Sequence, residues 1–285
     1  MNGMPILVTG ATGAVGGALV RQLAAAGHDV RALTRDPSGP AARALPSTVE
    51  VVAGDFDDPK TLVPALRGVA RMHLVAMGGA VGPAGAEIVA LAEEAGVRRL
   101  THLGHDDFSR DDDDPLETAH RSLRRTIEAS SMEWTHLFPG EFATNTREWA
   151  AMIRASNEVR APFPEWRSAL VHEADIAAVA RVALTEDGHA GRVYIPTGPV
   201  AVRRAEAVRQ IGEAIGREVT FVELTPEQAR EQWEAVYPAQ IIDWFLEMGQ
   251  NPDTNAWVSP DVETVTGRAA RPYAEWARDH AADFR

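Results

Sequence analysis

The chain has 285 residues, 45% of them hydrophobic, and a formal net charge of −13 at pH 7. This length suits one large α/β domain or a domain with a smaller lobe, and the acidic balance argues against a face built to neutralise a nucleic-acid backbone. The absence of cysteine removes disulfides, thiolate catalysis and cysteine-held metals, and no apolar run approaches the roughly 18 residues of a membrane span.

The N-terminal "MNGMPILVTG" has no charged leader or cleavage site and reads as a first strand. Accordingly, a cytoplasmic protein with a small-molecule substrate is expected, as a monomer or homodimer. No nucleic-acid partner, membrane partner or metal is expected.

The first half alternates apolar strands with amphipathic helices. Strands are predicted at 5–10, 29–34, 49–54, 71–77, 98–104 and 133–138, and helices at about 14–26, 59–67, 83–95 and 115–130. Strand–helix alternation of this kind predicts a parallel sheet covered on both faces. The second half is more mixed. A helix near 145–155 leads into a proline-rich loop around Trp166, and Glu173–Leu184 reads as a helix. A strand near 191–198, a helix over 203–216 and a strand over 218–224 follow, then a mostly helical tail. The tail's Trp233–Phe245 aromatics read as core or subunit contact. The fold class expected is α/β, a Rossmann-type doubly wound parallel sheet with a small mixed α/β C-terminal lobe. The domain boundaries expected are 1–145 and 146–285, with the strand near 191–197 able to return to the main sheet.

"VTGATGAVGG" places Gly10, Gly13 and Gly16 between a strand and a helix. That spacing lets backbone approach a pyrophosphate and turn into a helix whose N-terminal N–H groups face the anion. Gly10, Thr12, Gly13, Val15 and Gly16 are therefore the candidate phosphate loop. At the end of the second strand, Thr34 and Arg35 precede Asp36. Arg35 suits a ribose 2′-phosphate and points to NADP; Asp36, within reach of a ribose diol, keeps NAD open. Asp55 and Phe56, after the third strand, are placed to meet an adenine edge and face, and Asp55 also suits a helix cap.

These segments, together with "EWTHLFPGEF" and "EADIAAVA", resemble the NmrA-like group of atypical short-chain dehydrogenases/reductases over essentially the whole chain. The resemblance implies a Rossmann domain with a lobe closing over a nicotinamide, and either NAD(P)H-dependent reduction or dinucleotide sensing without catalysis. Many reductases of the superfamily use Ser, Tyr and Lys, with Tyr and Lys four apart on one helix. This chain has only Tyr194, Tyr237 and Tyr273, and its single lysine is Lys60, so no Tyr-x-x-x-Lys exists. Counting from "EWTHLFPG", His120 falls at the lysine position, Leu116 at the tyrosine position and Gly104 at the serine position. Arg124 replaces a glutamate of the group's "HRxxE", and Phe138 replaces an arginine of its "LRPG".

The candidate proton-handling residues are His120, His105 and Glu141, since a histidine near neutral pKa can give or take a proton. Arg124, on the same helix, is expected to depress protonation of His120. Gly104 and Pro139 are expected beside the cofactor, and Phe142, Trp149, Met152 and Trp166 are candidates for the substrate pocket. The six acids within 106–114 read as a solvated loop, with Asp114 capping the next helix. The leading expectation is hydride transfer to a small, neutral or cationic, aromatic or quinone-like substrate. The alternatives are an NAD(P) sensor and a non-redox isomerase or cyclase.

Overall fold

A computed structural model describes residues 4–105 and 115–285. The acidic loop at 106–114 and the proposed Asp114 cap lie outside the described residues. In chain order the first elements are β1 (Ile6–Val8), α1 (Ala14–Ala25), β2 (Val30–Thr34), α2 (Pro40–Arg43), β3 (Glu50–Ala53), α3 (Val63–Leu66), β4 (Arg71–Val75), α4 (Ala84–Glu94), β5 (Arg99–Leu103), α5 (Pro115–Ala129) and β6 (Glu133–Leu137). They are followed by α6 (Ala150–Ser156), β7 (Glu158–Ala161), β8 (Arg167–Ser168), α7 (Glu173–Thr185), β9 (Arg192–Tyr194), β10 (Val202–Arg203), α8 (Arg204–Ile215), β11 (Thr220–Glu223), α9 (Pro226–Trp233), α10 (Ala239–Met248), α11 (Asp261–Thr266) and α12 (Tyr273–Asp279).

The chain divides into two units, Met1–Pro139 with Glu173–Pro196, and Gly140–His172 with Thr197–Arg285. Thus α7 and β9 lie with the first unit, β9 as the strand near 191–197 that returns to the main sheet. The first unit holds a seven-stranded sheet in the order β3-β2-β1-β4-β5-β6-β9. Every adjacent pair in it is parallel. The order reverses direction between β1 and β4, which creates the crevice where ligands settle in doubly wound sheets.

The strand sequences suit this placement. All three residues of β1 are buried, as a central strand covered on both faces requires. Edge strand β3 keeps none of its four residues fully buried. One face carries a core of Leu7, Met72, Leu74, Ile88, Leu100, Leu123 and Ile127. On α5, Leu123 and Ile127 are four apart and share a helical face. The other face is covered by α1 and α7, which pack together. Small residues make that approach close: Ala177, Ala180 and Ala183 of α7 and Gly16 and Gly17 of α1 are all buried.

The second unit has its own core, built from Trp149, Ile153, Val208, Ile211, Trp276 and Phe284. Buried Tyr273 stacks on Trp276 at 5.4 Å and donates its hydroxyl proton to Thr146 Oγ1 at 2.8 Å. Two small strand pairs, β7 with β11 and β8 with β10, brace this unit. Helix α8 ends at Gly216, whose φ of +71° supplies the left-handed cap. In the tail, Trp233, Tyr237 and Trp244 gather around Phe245 at 5.6, 5.5 and 5.2 Å, and Trp244 is 45% exposed.

Candidate functional site

Parallel pairing brings the carboxyl ends of β1 to β6 to one edge of the first unit. The glycine loop follows β1 there. Gly10 has φ +59°, a conformation that only glycine adopts cheaply, and its carbonyl accepts from the Gly13 N–H at 2.9 Å. Gly13 is the extended N-cap of α1. A β-carbon on Gly16 would lie 2.2 Å from the Gly10 oxygen, so helix and loop touch backbone to backbone. Thr12 and Gly13 stand exposed at the helix entrance, while Val15 is buried. This cradle fits a dinucleotide pyrophosphate: the close approach and the free helix N-terminus are both present.

Below the loop, buried Thr9 ties β1 to β4. Its hydroxyl donates to the His73 carbonyl at 3.0 Å and accepts from the Val75 N–H at 2.9 Å. After β2, the Asp36 carboxylate turns into its own backbone and accepts from the Ser38 N–H and hydroxyl at 3.0 and 2.7 Å. Thr34 Oγ1 accepts from the Asp36 N–H at 3.4 Å. Arg35 is exposed between them. After β3, the Asp55 carboxylate accepts from the Asp57 N–H at 3.1 Å, a turn-forming role, and half-buried Phe56 packs against the main core.

The strand ends of β5 and β6 carry side-chain chemistry. Gly104 follows β5 directly. A β-carbon there would lie 2.7 Å from His102 Cε1 and 3.4 Å from Phe138 Cε1, so a serine at this position would press on the histidine behind it. His105 and His120 meet with ring centroids 3.9 Å apart. Burial and the nearby His105 lower the pKa of His120 to about 4. The expected depression is therefore present, but its cause is desolvation and a second histidine; Arg124 instead pairs with Glu128 at 2.9 Å. At neutral pH His120 is uncharged, a hydrogen-bonding group and a poor acid. Pro139, after β6, is buried.

The three tyrosines offer no substitute donor. Tyr194 is bonded to His189 Nδ1 at 2.8 Å, Tyr273 is committed to Thr146, and Tyr237 lies against Phe245. Lys60 sits exposed in the turn after β3.

In the second unit, Glu141 is half-buried and is a charge neighbour of Arg204, whose own protonation burial disfavours. Trp149 is buried in that unit's core and Met152 packs against it, which gives both a packing role. Phe142 is half-buried and bridges to Val171. The Trp166 ring lies 5.9 Å from the Arg204 guanidinium carbon, and its indole N–H is buried without a partner among the described residues. A groove of about 810 Å³ lies along α4 and α5, lined by Val89, Glu93, Arg121 and Arg125 among others. None of the strand-end residues named above lines it.

Sequence reasoning missed His102 and His136. Their signal is a repeated triplet, Thr-His-Leu, at 101–103 and 135–137. The two triplets are in register on adjacent strands, Thr101 beside Thr135 and His102 beside His136. Both histidines are buried, and their Nδ1 atoms are 3.0 Å apart.

The model of the NmrA-like family matches residues 3–276. The (4-alkanoyl-5-oxo-2,5-dihydrofuran-3-yl)methyl phosphate reductase of Streptomyces griseus is 38% identical over 282 residues, 98% of this chain and 99% of that one. The NAD(P)H azoreductase of Xenophilus azovorans is 35% identical over 292 residues, covering 98% and 99%. Among solved structures, an NADPH-dependent quinone oxidoreductase from Escherichia coli in complex with NADPH shares the fold, with a TM-score of 0.77 at 22% identity over 96% of this chain and 99% of that one.

Proposed function

The chain belongs to the NmrA-like family, and from that premise we propose that it is an NADPH-dependent reductase of conjugated, electron-poor acceptors. The class comprises acyl-substituted unsaturated lactones and enones, with quinones and azo compounds as neighbours. The observation that carries this reading is His120, uncharged at neutral pH and packed ring to ring at 3.9 Å on His105, in a chain without any Tyr-x-x-x-Lys.

When bound, the nicotinamide supplies the hydride. An isolated ketone would then need a strong local acid to receive the alkoxide that forms. A conjugated acceptor spreads the same charge over a carbonyl, a ring or a second nitrogen, and solvent can protonate it afterwards. His120 hydrogen-bonds that delocalised anion without having to ionise.

The relatives' printed substrates support this class. A 4-alkanoyl-5-oxo-2,5-dihydrofuran has its ring double bond conjugated to two carbonyls, and an azo compound is likewise a conjugated double bond. The glycine loop of Gly10, Thr12, Gly13, Val15 and Gly16 holds the pyrophosphate. Arg35 receives the 2′-phosphate, since the Asp36 carboxylate is engaged by Ser38; Asp36 can still open toward NAD. Asp55 and Phe56 face the adenine, and Gly104 and Pro139 flank the nicotinamide. In the second unit, Glu141 acts as the partner of Arg204.

The test is NADPH oxidation against a panel containing an acyl butenolide, a benzoquinone, an azo dye and an unconjugated aliphatic ketone. The conjugated acceptors should exceed the ketone in kcat/KM by about 100-fold or more, the typical contribution of a positioned acid. Comparable reduction of the ketone would show that a strong acid operates and would end this reading.

A further inference from the structure

Behind Gly104 runs a line of polar groups that the proposed reaction does not use. It begins at Glu128, in the last turn of α5, whose Oε1 lies 3.4 Å from His136 Nε2 as a charge contact; that nitrogen has no hydrogen bond among the described residues. It continues from His136 Nδ1 to His102 Nδ1 at 3.0 Å. It ends at His102 Nε2, which is buried without a partner among the described residues and lies 3.0 Å from where a Gly104 β-carbon would be.

The rings of this line are held in place. His136 is stacked between Trp134 at 4.7 Å and Phe138 at 5.4 Å, with interplanar angles of 27° and 12°. His102 stands edge-on to His136 at 82°. Burial lowers the pKa of His136 to about 4 and that of His102 well below its usual value, so both rings are neutral at neutral pH. A neutral imidazole has one donor nitrogen and one acceptor. Two facing Nδ1 atoms at hydrogen-bond distance must therefore be one of each.

The carboxylate decides which. The Glu128 carboxylate, paired with Arg124 at 2.9 Å, favours an N–H over a lone pair facing it, so His136 turns its N–H outward at Nε2 and keeps a lone pair at Nδ1. His102 must then donate from Nδ1, and its Nε2 is left as a lone pair. The opposite assignment would set a lone pair of His136 against the carboxylate.

We propose that Glu128, His136 and His102 form a tautomer-setting line, which presents a buried hydrogen-bond acceptor beneath Gly104. The three are positioning residues, and their importance for turnover rests on the reading of the Gly104–His105–His120 corner as the reaction site. The acceptor calls for a donor above it. His120 Nδ1 is a second buried atom without a partner among the described residues, so no hydrogen bond joins it to His102 Nε2. The ligand group this acceptor would receive is a hydroxyl or N–H donor, from the cofactor ribose or from the substrate.

The experiment is long-range proton–nitrogen NMR of the histidine rings in the full-length protein, with and without Glu128→Ala. The wild type should show His136 protonated at Nε2 and His102 protonated at Nδ1. Glu128→Ala, at an exposed position, should populate both tautomers of His136 and His102, and should lower kcat for a conjugated acceptor about ten-fold or more. Addition of NADP⁺ should shift the His102 Nε2 signal if the ribose is the donor; a shift only with a hydroxylated substrate analogue assigns the substrate.

A wild-type His136 protonated at Nδ1, or a variant with unchanged spectrum and kcat, would overturn the line. The expected spectrum in a protein that reduces no acceptor would overturn the reductase reading and leave the line standing.

Discussion

The two ends of the main sheet present different chemistry. Around β1 to β3 the strand ends are backbone: Gly10, Gly13 and Gly16 clear a path, and Asp36 and Asp55 spend their carboxylates on their own turns. Around β4 to β6 the strand ends are side chains, with His73, His102 and His136 buried in the sheet and His105 against His120 above them. A backbone cradle tolerates no added atom, because the Gly10 carbonyl is held in its turn by the Gly13 N–H. A side-chain cluster tolerates shape changes better and depends on which nitrogen holds a proton. The lesson is that one end is specified by what is missing from the residues and the other by how they pair.

That contrast can be broken most severely at the cradle. Gly16→Val places carbon against the Gly10 oxygen, already 2.2 Å from an ideal β-carbon. Strain of about 3 kcal/mol or more is expected in the fold, and the displaced loop should weaken NADPH binding by about ten-fold or more, or 1.4 kcal/mol. Calorimetric titration reads it, and unchanged affinity would mean the loop does not hold the phosphates.

The next largest effect belongs to the histidine end and appears on acidification. His73 is buried, bonded through Nδ1 to Thr101 at 2.8 Å, and has a folded pKa of about 4 against an ordinary 6.5. The unfolded chain thus binds a proton that the folded one refuses. This contribution is fully present above the unfolded value and is lost as pH falls from 6.5 toward about 4, amounting to roughly 3 kcal/mol across the window. His73→Gln should flatten the fall in melting temperature over that range relative to wild type. Equal pH slopes would show that His73 does not drive the acid sensitivity.

Gly104→Ser joins the two chemistries by adding a side chain where His102 stands. The clash at 2.7 Å should cost about 2 kcal/mol and move the His102 ring resonances in the NMR spectrum. A variant as stable as wild type, with unmoved resonances, would show that the corner has room for a serine.

The smallest effect is expected at Arg35. Arg35→Ser should reduce the preference for NADPH over NADH by about ten-fold, or 1.4 kcal/mol, leaving stability unchanged because the side chain is exposed. An unaltered preference would place the 2′-phosphate elsewhere.

Much of the first unit was legible from periodicity. Apolar runs such as "PILVTG" and the three-four spacing on α5 report burial locally, so strands and helices of the main sheet are read with small shifts at their ends. The short strands of the second unit were not. Glu158–Ala161 pairs with Thr220–Glu223, about sixty residues away, and four residues carry too little pattern to announce a distant partner. The departure and return of the chain at Pro139 and Glu173 was hidden for the same reason: the alanine-rich α7 shows its allegiance only where α1 packs against it. Trp149 and Met152 looked like pocket residues because aromatic and thioether side chains serve cores and pockets alike.

Sequence alone determined that a glycine loop joins a strand to a helix, that no Tyr-x-x-x-Lys pair exists, and that Arg35 precedes Asp36 at a strand end. These are facts of order and composition, and they carry chemistry because neighbours in sequence stay neighbours in a tight turn. Only tertiary structure decided that two Thr-His-Leu triplets, thirty-four residues apart, lie in register with their histidines bonded. It also decided that His120 is neutral, that Asp36 folds back on Ser38, and that Glu128 reaches the ring of His136. Register, burial and the reach of a carboxylate are set by contacts between distant segments, and local pattern holds no record of them.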